Sequence, residues 1–291
     1  MKLTTVLLAF SLGTLSAAEP VTIKLWPNGP EEPAGFTPKP TEEKKSDKDG
    51  LKRSSGVNDP TITVYRPEKP NGTAVIVAPG GGYGGLAIEH EGTMVCDYLV
   101  KQGVTPVLLR YRVPRRDPQD PSKYPLQDAQ RAMGIVRHRA AEWDIKPDRI
   151  GFLGFSAGGH LTVMATLHAN DRTYKQDPAL DVPDATPNFS IPVYPAYLTP
   201  KEDTFKLLPE IKVTDKAPPM CLVHAHDDKG QTSSSGSALL YLEYKKLNLP
   251  AELHIYTKGG HGFGMKDKGG IPTEQWLVRV SEWMKSMGWM E

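Results

Sequence analysis

The stretch Gly151-Phe152-Leu153-Gly154-Phe155-Ser156-Ala157-Gly158-Gly159-His160 reads as a short buried strand running into a helix. Residues 150–153 form an apolar run of strand character, and residues 161–169 have helical composition. Between them Gly154-Phe155-Ser156-Ala157-Gly158 fits G-x-S-x-G. In that pattern the serine occupies a strained strand-to-helix turn, and small neighbours let the backbone bend without a side-chain clash. The turn lifts the Ser156 hydroxyl above a sheet and aims the first helical amides at the same point. A serine hydroxyl alone is a weak nucleophile. The reading therefore demands a base, an acid to orient it, and a second donor for developing negative charge.

Working outward, strands and helices alternate. Strands are expected over 21–26, 61–66, 73–78, 104–110, 189–194, 220–225 and 251–256, and helices over 86–102, 125–143, 235–247 and 273–287. Pro70-Asn71-Gly72 predicts a hairpin between the second and third strands. From residue 60 onward the alternation implies one α/β domain, a mostly parallel sheet with helices on both faces. Residues 195–219 form a crossover too short for a large lid. Residues 27–59 are rich in Pro, Gly and charge, and Glu42 to Asp49 reads as a solvated loop.

With 35 basic and 34 acidic residues the chain carries a net charge of +1, and its basic residues are scattered. Neither nucleic acid nor an anionic membrane is an expected partner. Residues 1–18 have the form of a secretory signal: Lys2, a short apolar core, then Ser16-Ala17-Ala18. Cleavage after Ala18 and a secreted or periplasmic product are expected, with residues 19–59 preceding a catalytic domain at 60–291. Cys96 and Cys221 read as buried small residues.

Ligands of such sheets bind beyond the carboxyl ends of the strands. Gly81, Ser156, Asp228 and His261 all follow predicted strands. Pro79-Gly80-Gly81-Gly82-Tyr83-Gly84-Gly85 lacks the Lys-Ser/Thr of a phosphate loop and fits an oxyanion loop, in which glycines let amides approach negative charge. His261, among glycines after the last strand, is the candidate base. Asp227 and Asp228 are both candidates for the acid, and the order serine, acid, histidine is that of the α/β-hydrolases. A rival reading makes His224, His226 and Asp228 a metal cluster in a metal-dependent hydrolase. Another is a hydrolase fold reduced to a non-catalytic binding protein.

These motifs, with Tyr111-Arg112-Val113-Pro114 and Asp128-Ala129-Gln130-Arg131-Ala132, give a chain that resembles the α/β-hydrolase family of secreted acetyl and acetylxylan esterases, with feruloyl-esterase-like and lipase-like carboxylesterases close by. The resemblance implies Ser156 as nucleophile, His261 as base and, four residues after the strand-end His224, Asp228 as the acid. It implies an oxyanion hole from the amides of Gly81 or Gly82 and of Ala157, and no metal or cofactor. Two departures stand out. Pro79 replaces a common histidine, and Lys229-Gly230-Gln231-Thr232 replaces the Val-Pro that usually follows the acid. The implied substrate is an acetylated polysaccharide or oligosaccharide, with feruloyl esters and generic short-chain esters as alternatives. Elsewhere, Asp128 and Arg131 read as an i,i+3 ion pair. His90-Glu91 reads as a pair bordering the site or bonding structurally.

Overall fold

The computed structural model describes residues 19–290. The expected signal sequence lies outside them. In chain order the elements are β1 (Val21–Lys24), β2 (Glu42–Lys45), β3 (Lys52–Ser55), β4 (Thr61–Val64), β5 (Ala74–Ala78), α1 (Met94–Lys101), β6 (Thr105–Arg110), α2 (Lys123–His138), β7 (Ile150–Phe155), α3 (Ala157–Leu167), β8 (Phe189–Val193), β9 (Met220–Ala225), α4 (Ser234–Lys246), β10 (Ala251–Tyr256) and α5 (Trp276–Ser286). A wide helical turn, Glu89–Thr93, precedes α1, so the helix expected from residue 86 begins later than its sequence suggests.

Eight strands make one sheet in the order β1-β4-β6-β5-β7-β8-β9-β10. β4 pairs antiparallel with both β1 and β6, and every other pairing is parallel. The expected mostly parallel sheet is therefore found. The expected hairpin of β4 with β5 is not, because β6 lies between them. The reason is burial: all five residues of β5, Ala-Val-Ile-Val-Ala, are buried. Such a strand needs a paired neighbour on each side, and β6 and β7 supply both. The turn at Asn71-Gly72 reverses the chain without setting the pairing.

Alternate residues of the strands feed two cores. Ile76, Leu109 and Phe152 pack with Ala129, Met133 and Leu161 of α2 and α3. Val75, Val77, Leu153 and Phe155 pack with Leu99 of α1 and Trp276, Val280 and Met284 of α5. α4 extends the first face over Met220 and Leu222. Helices thus cover both sides of the sheet, and every catalytic candidate lies past the carboxyl end of a parallel strand. Among the described residues no helix is long and apolar enough to cross a membrane.

Two local expectations are corrected. The charged run from Glu42 is not a bare loop but the first strand of a small antiparallel ribbon, β2 on β3. It is fastened by a Glu43–Arg110 ion pair and by two hydrogen bonds between Ser54 and Leu86. Asp128 and Arg131 do not pair with each other. Asp128 accepts from Trp26 Nε1 at 2.8 Å and from the Arg112 backbone N–H at 2.9 Å, and it pairs with the buried Arg112 guanidinium. Arg131 pairs with Asp181 at 2.9 Å. Cys96 and Cys221 are buried and unpaired, as expected.

Candidate active site

Ser156 sits between β7 and α3 at φ 53°, ψ −116°, a conformation that only surrounding structure can hold in a non-glycine residue. Three backbone bonds hold it: its N–H donates to Val193 O, and its carbonyl accepts from His160 and Ala196. The flanking glycines answer a steric demand. A Cβ on Gly154 would run into the Gly158 carbonyl, and one on Gly158 into the Ala78 carbonyl.

Ser156 Oγ is 2.7 Å from His261 Nε2, and His261 Nδ1 is 2.6 Å from Asp228 Oδ2. The three sequence candidates meet in one hydrogen-bonded chain although more than 70 residues separate the first from the second, and 33 the second from the third. Asp227 does not join it. That side chain is exposed and accepts the Gly260 amide at 2.7 Å, which shapes the loop carrying His261.

Asp228 is buried, which opposes its ionisation. Hydrogen bonds from His224, His261 and Thr232 outweigh this and hold its carboxyl well below the usual carboxylate range. Thr232 Oγ1 donates to Asp228 Oδ1 at 2.6 Å, so the unusual 229–232 segment supplies a donor of its own. His224 is fully buried, with Nδ1 2.8 Å from Ser237 Oγ and Nε2 2.8 Å from the Thr232 carbonyl. Both ring nitrogens are thus engaged within the fold, while His226 is exposed. The rival metal reading needed these two side chains as ligands.

On the other side of Ser156 the glycine loop turns through positive φ at Gly81 (138°), Gly82 (63°) and Tyr83 (57°). Tyr111 donates to Pro79 O at 2.6 Å, Ala87 N–H to Gly80 O at 2.8 Å, and Tyr83 Oη lies 2.8 Å from His160 Nδ1. Within the described residues the amides of Gly81, Gly82 and Ala157 have no acceptor. Gly81, Gly82, Ser156 and His261 line one cavity of about 350 Å³. Three free amides beside an activated hydroxyl can receive an oxyanion.

A buried bridge that sequence reading left open completes the site. Glu91 Oε2 accepts the Gly80 amide at 2.8 Å, and its Oε1 accepts the Tyr194 hydroxyl at 3.0 Å. Tyr194 Oη in turn accepts the Gly264 amide at 2.9 Å, and its ring stands edge-on to His261 with centroids 5.2 Å apart. The Glu91–Tyr194 pair therefore ties the glycine loop to the histidine loop. Burial raises the Glu91 pKa, opposed by those two hydrogen bonds. The only sequence signal was an acidic residue shortly after the glycine run.

Known proteins resemble this chain in sequence and in fold. The BD-FAE family model matches residues 62–193, which include the glycine loop and the serine turn. An acetylxylan esterase from Xylanibacter ruminicola is 29% identical over 248 residues, 78% of this chain and 48% of the relative. This chain thus spans about half the length of that curated relative. The crystal structure of an acetyl ester-xyloside bifunctional hydrolase from Caldicellulosiruptor lactoaceticus superposes with a TM-score of 0.72 at 29% identity, covering 93% of this chain and 97% of that one. A thermophilic esterase from Thermogutta terrifontis, 20% identical with a TM-score of 0.66, shares the fold over 86% and 93% of the two chains. The expected α/β-hydrolase fold, without a large added domain, and the expected resemblance to acetylxylan esterases are both found.

Proposed function

We propose that this chain, an α/β-hydrolase similar to acetylxylan and other carboxylic esterases, is an exported serine carboxylesterase that removes short acyl groups, acetyl foremost, from plant polysaccharide such as acetylxylan. The reading rests on the unbroken Ser156–His261–Asp228 hydrogen-bond chain, at 2.7 and 2.6 Å, beside unengaged amides. His261 takes the Ser156 proton as Oγ attacks the ester carbonyl. Asp228 holds the imidazole in the tautomer that presents Nε2 as acceptor and stabilises the cation that forms. Amides of Gly81 or Gly82 and of Ala157 bind the oxyanion, each contributing about 3 kcal/mol to transition-state stabilisation. His261 then returns the proton to the leaving alcohol, and water releases the acid by the same steps. No step calls on a metal or an organic cofactor.

A carbohydrate alcohol suits the surroundings. Tyr197 separates the cavity over Ser156 from a neighbouring one of about 470 Å³, whose lining includes Arg115, Gln119, Asp120 and Gln231. Such groups match sugar hydroxyls better than a long acyl chain. Residues 1–18 support export, which N-terminal sequencing of the protein recovered outside the cytoplasm tests.

The decisive assay compares acetate release from acetylated xylan with hydrolysis of p-nitrophenyl acetate, p-nitrophenyl decanoate and methyl ferulate. Acetate release from the polymer together with hydrolysis of the simple acetate is expected. Ser156→Ala is expected to lower kcat by about 10⁶-fold. Activity confined to the decanoate overturns the reading, and a preference for methyl ferulate moves the enzyme to feruloyl esters.

A further inference from the structure

We infer that the cavity over Ser156 has a carboxylate-binding corner built by Arg53 and Lys266. The favoured substrate is then an acetyl ester on a glycan that bears a uronic acid close to the ester. This rests on the esterase reading of Ser156 and His261. Both cations line the same cavity as those two residues. Arg53 comes from β3 of the N-terminal ribbon, and Lys266 follows the histidine loop. Both lie outside the 62–193 segment that the family model matches.

Charge decides the ligand. Arg53 Nη2 lies 2.8 Å and Lys266 Nζ 3.2 Å from the same oxygen, Asp49 Oδ2. One carboxylate therefore serves two cations, and a positive charge is left over. Among the described residues neither cation forms an ion pair with a second carboxylate. His261 pairs with Asp228. Burial keeps His90 neutral, with its pKa pushed down to about 4. Glu91, whose ionisation Lys266 favours without forming an ion pair, directs its two oxygens to the Gly80 amide and the Tyr194 hydroxyl.

Donors also remain. Of the five N–H groups of Arg53, bonds to Leu51 O and Asp49 account for two, and Lys266 has three N–H donors of which one faces Asp49. A neutral acetyl ester needs no cation at this place. An open cleft whose corner sets two cations on one carboxylate, with a partly free guanidinium fork, suits a monoanionic, planar carboxylate. A dianionic phosphate would leave the corner undercompensated.

The test uses two acetylated xylo-oligosaccharides of equal length and acetyl position, one with a glucuronic acid branch beside the ester and one neutral. The kcat/KM ratio of acidic to neutral substrate is expected at about tenfold in low salt. It should fall toward one as NaCl is raised to about 0.5 M. Arg53→Gln and Lys266→Gln should each cut the ratio severalfold, and Asp49→Asn should raise it by unmasking both cations. A wild-type ratio of one or less, or a ratio insensitive to salt and to both glutamine variants, overturns the inference. The salt series on the wild-type enzyme stands even where a variant folds poorly. Failure on both oligosaccharides and on p-nitrophenyl acetate as well would instead overturn the esterase reading.

Discussion

The serine turn and the N-terminal ribbon wall the same cleft, yet different forces hold them. At the turn the contacts are mostly main chain against main chain, with the Thr162 hydroxyl packed beside Gly154. Gly154 and Gly158 have no room for one more carbon, and Ser156 is kept at φ 53° by three backbone bonds. The ribbon has largely exposed strands, a backbone bridge to Leu86, a Lys52 amide held by the Glu89 carboxylate, and ion pairs near solvent: Glu43 with Arg110, and Asp49 with Arg53 and Lys266. Close packing fixes geometry to fractions of an ångström, whereas solvated pairs contribute about 0–1 kcal/mol each. Reacting atoms belong on the first kind of support. Groups that read a substrate can rest on the second.

The adjacent aspartates repeat this contrast within one loop and offer its largest test. Asp228 is buried with donors on both oxygens, while Asp227 is exposed and holds one amide. Asp228→Asn puts an amide where the imidazole N–H must be accepted and leaves the wrong tautomer free, so kcat should fall about 10⁴-fold. Asp227→Asn keeps an oxygen for the Gly260 amide, and the change should stay near twofold. Steady-state hydrolysis of p-nitrophenyl acetate separates the two. Comparable losses in both variants would mean that loop shape, not the imidazole partner, sets the rate.

Glu91 joins the two kinds of support and gives the next effect in size. Glu91→Gln keeps the shape, but with its oxygen on the Gly80 N–H its N–H₂ faces Tyr194 Oη, which already accepts the Gly264 amide, and the Tyr194 hydroxyl proton loses its acceptor. One buried bond is lost, at a cost of about 1–3 kcal/mol. Because the lost bond braces the glycine loop and, through Tyr194, the histidine loop, the loss should appear in kcat, roughly tenfold or more, with little change in KM. An unchanged kcat with a lowered melting temperature would reduce Glu91 to a purely structural bond.

What could be read from the sequence follows the same division. The serine turn, the glycine loop and His261 were legible because each is a local backbone requirement written as a run of glycines beside a strand. The strands of the parallel sheet announced themselves as apolar runs. Pairing and partners were not legible. Pro70-Asn71-Gly72 signals a reversal of the chain, but the burial of β5 on both faces decided that β6 should intervene. Helical spacing suggested Asp128 with Arg131, whereas their partners Arg112 and Asp181 come from distant segments. The ribbon carries no apolar alternation, so only its ion pairs and its bridge to Leu86 reveal it. Thr232 was invisible as a donor to Asp228 because its segment departs from the pattern of the resembling family.

Acid separates the interior from the surface in a smaller but cleaner way. His160, buried against the Tyr83 hydroxyl, and His90, buried with an unpartnered Nδ1, both have pKa values pushed by burial from about 6.5 down to about 4. Between those values the unfolded chain takes up protons that the folded protein refuses. Stability therefore falls as pH drops through this window, by up to about 1.4 kcal/mol per pH unit for each histidine. Glu91 works the other way. Its raised pKa means that the folded state holds its proton longer, offsetting part of one histidine above the ordinary carboxylate range. The surface pairs stay silent here, because Arg53 and Lys266 hold Asp49 well below the usual carboxylate range even against its desolvation. Urea midpoints measured from pH 7 to pH 4.5 should drop, and His160→Gln should flatten the slope by the share of one proton. Asp49→Asn should leave the slope unchanged. A slope that follows Asp49 instead of His160 would place the acid-sensitive contacts in the ribbon and reverse the assignment of rigid and adjustable walls.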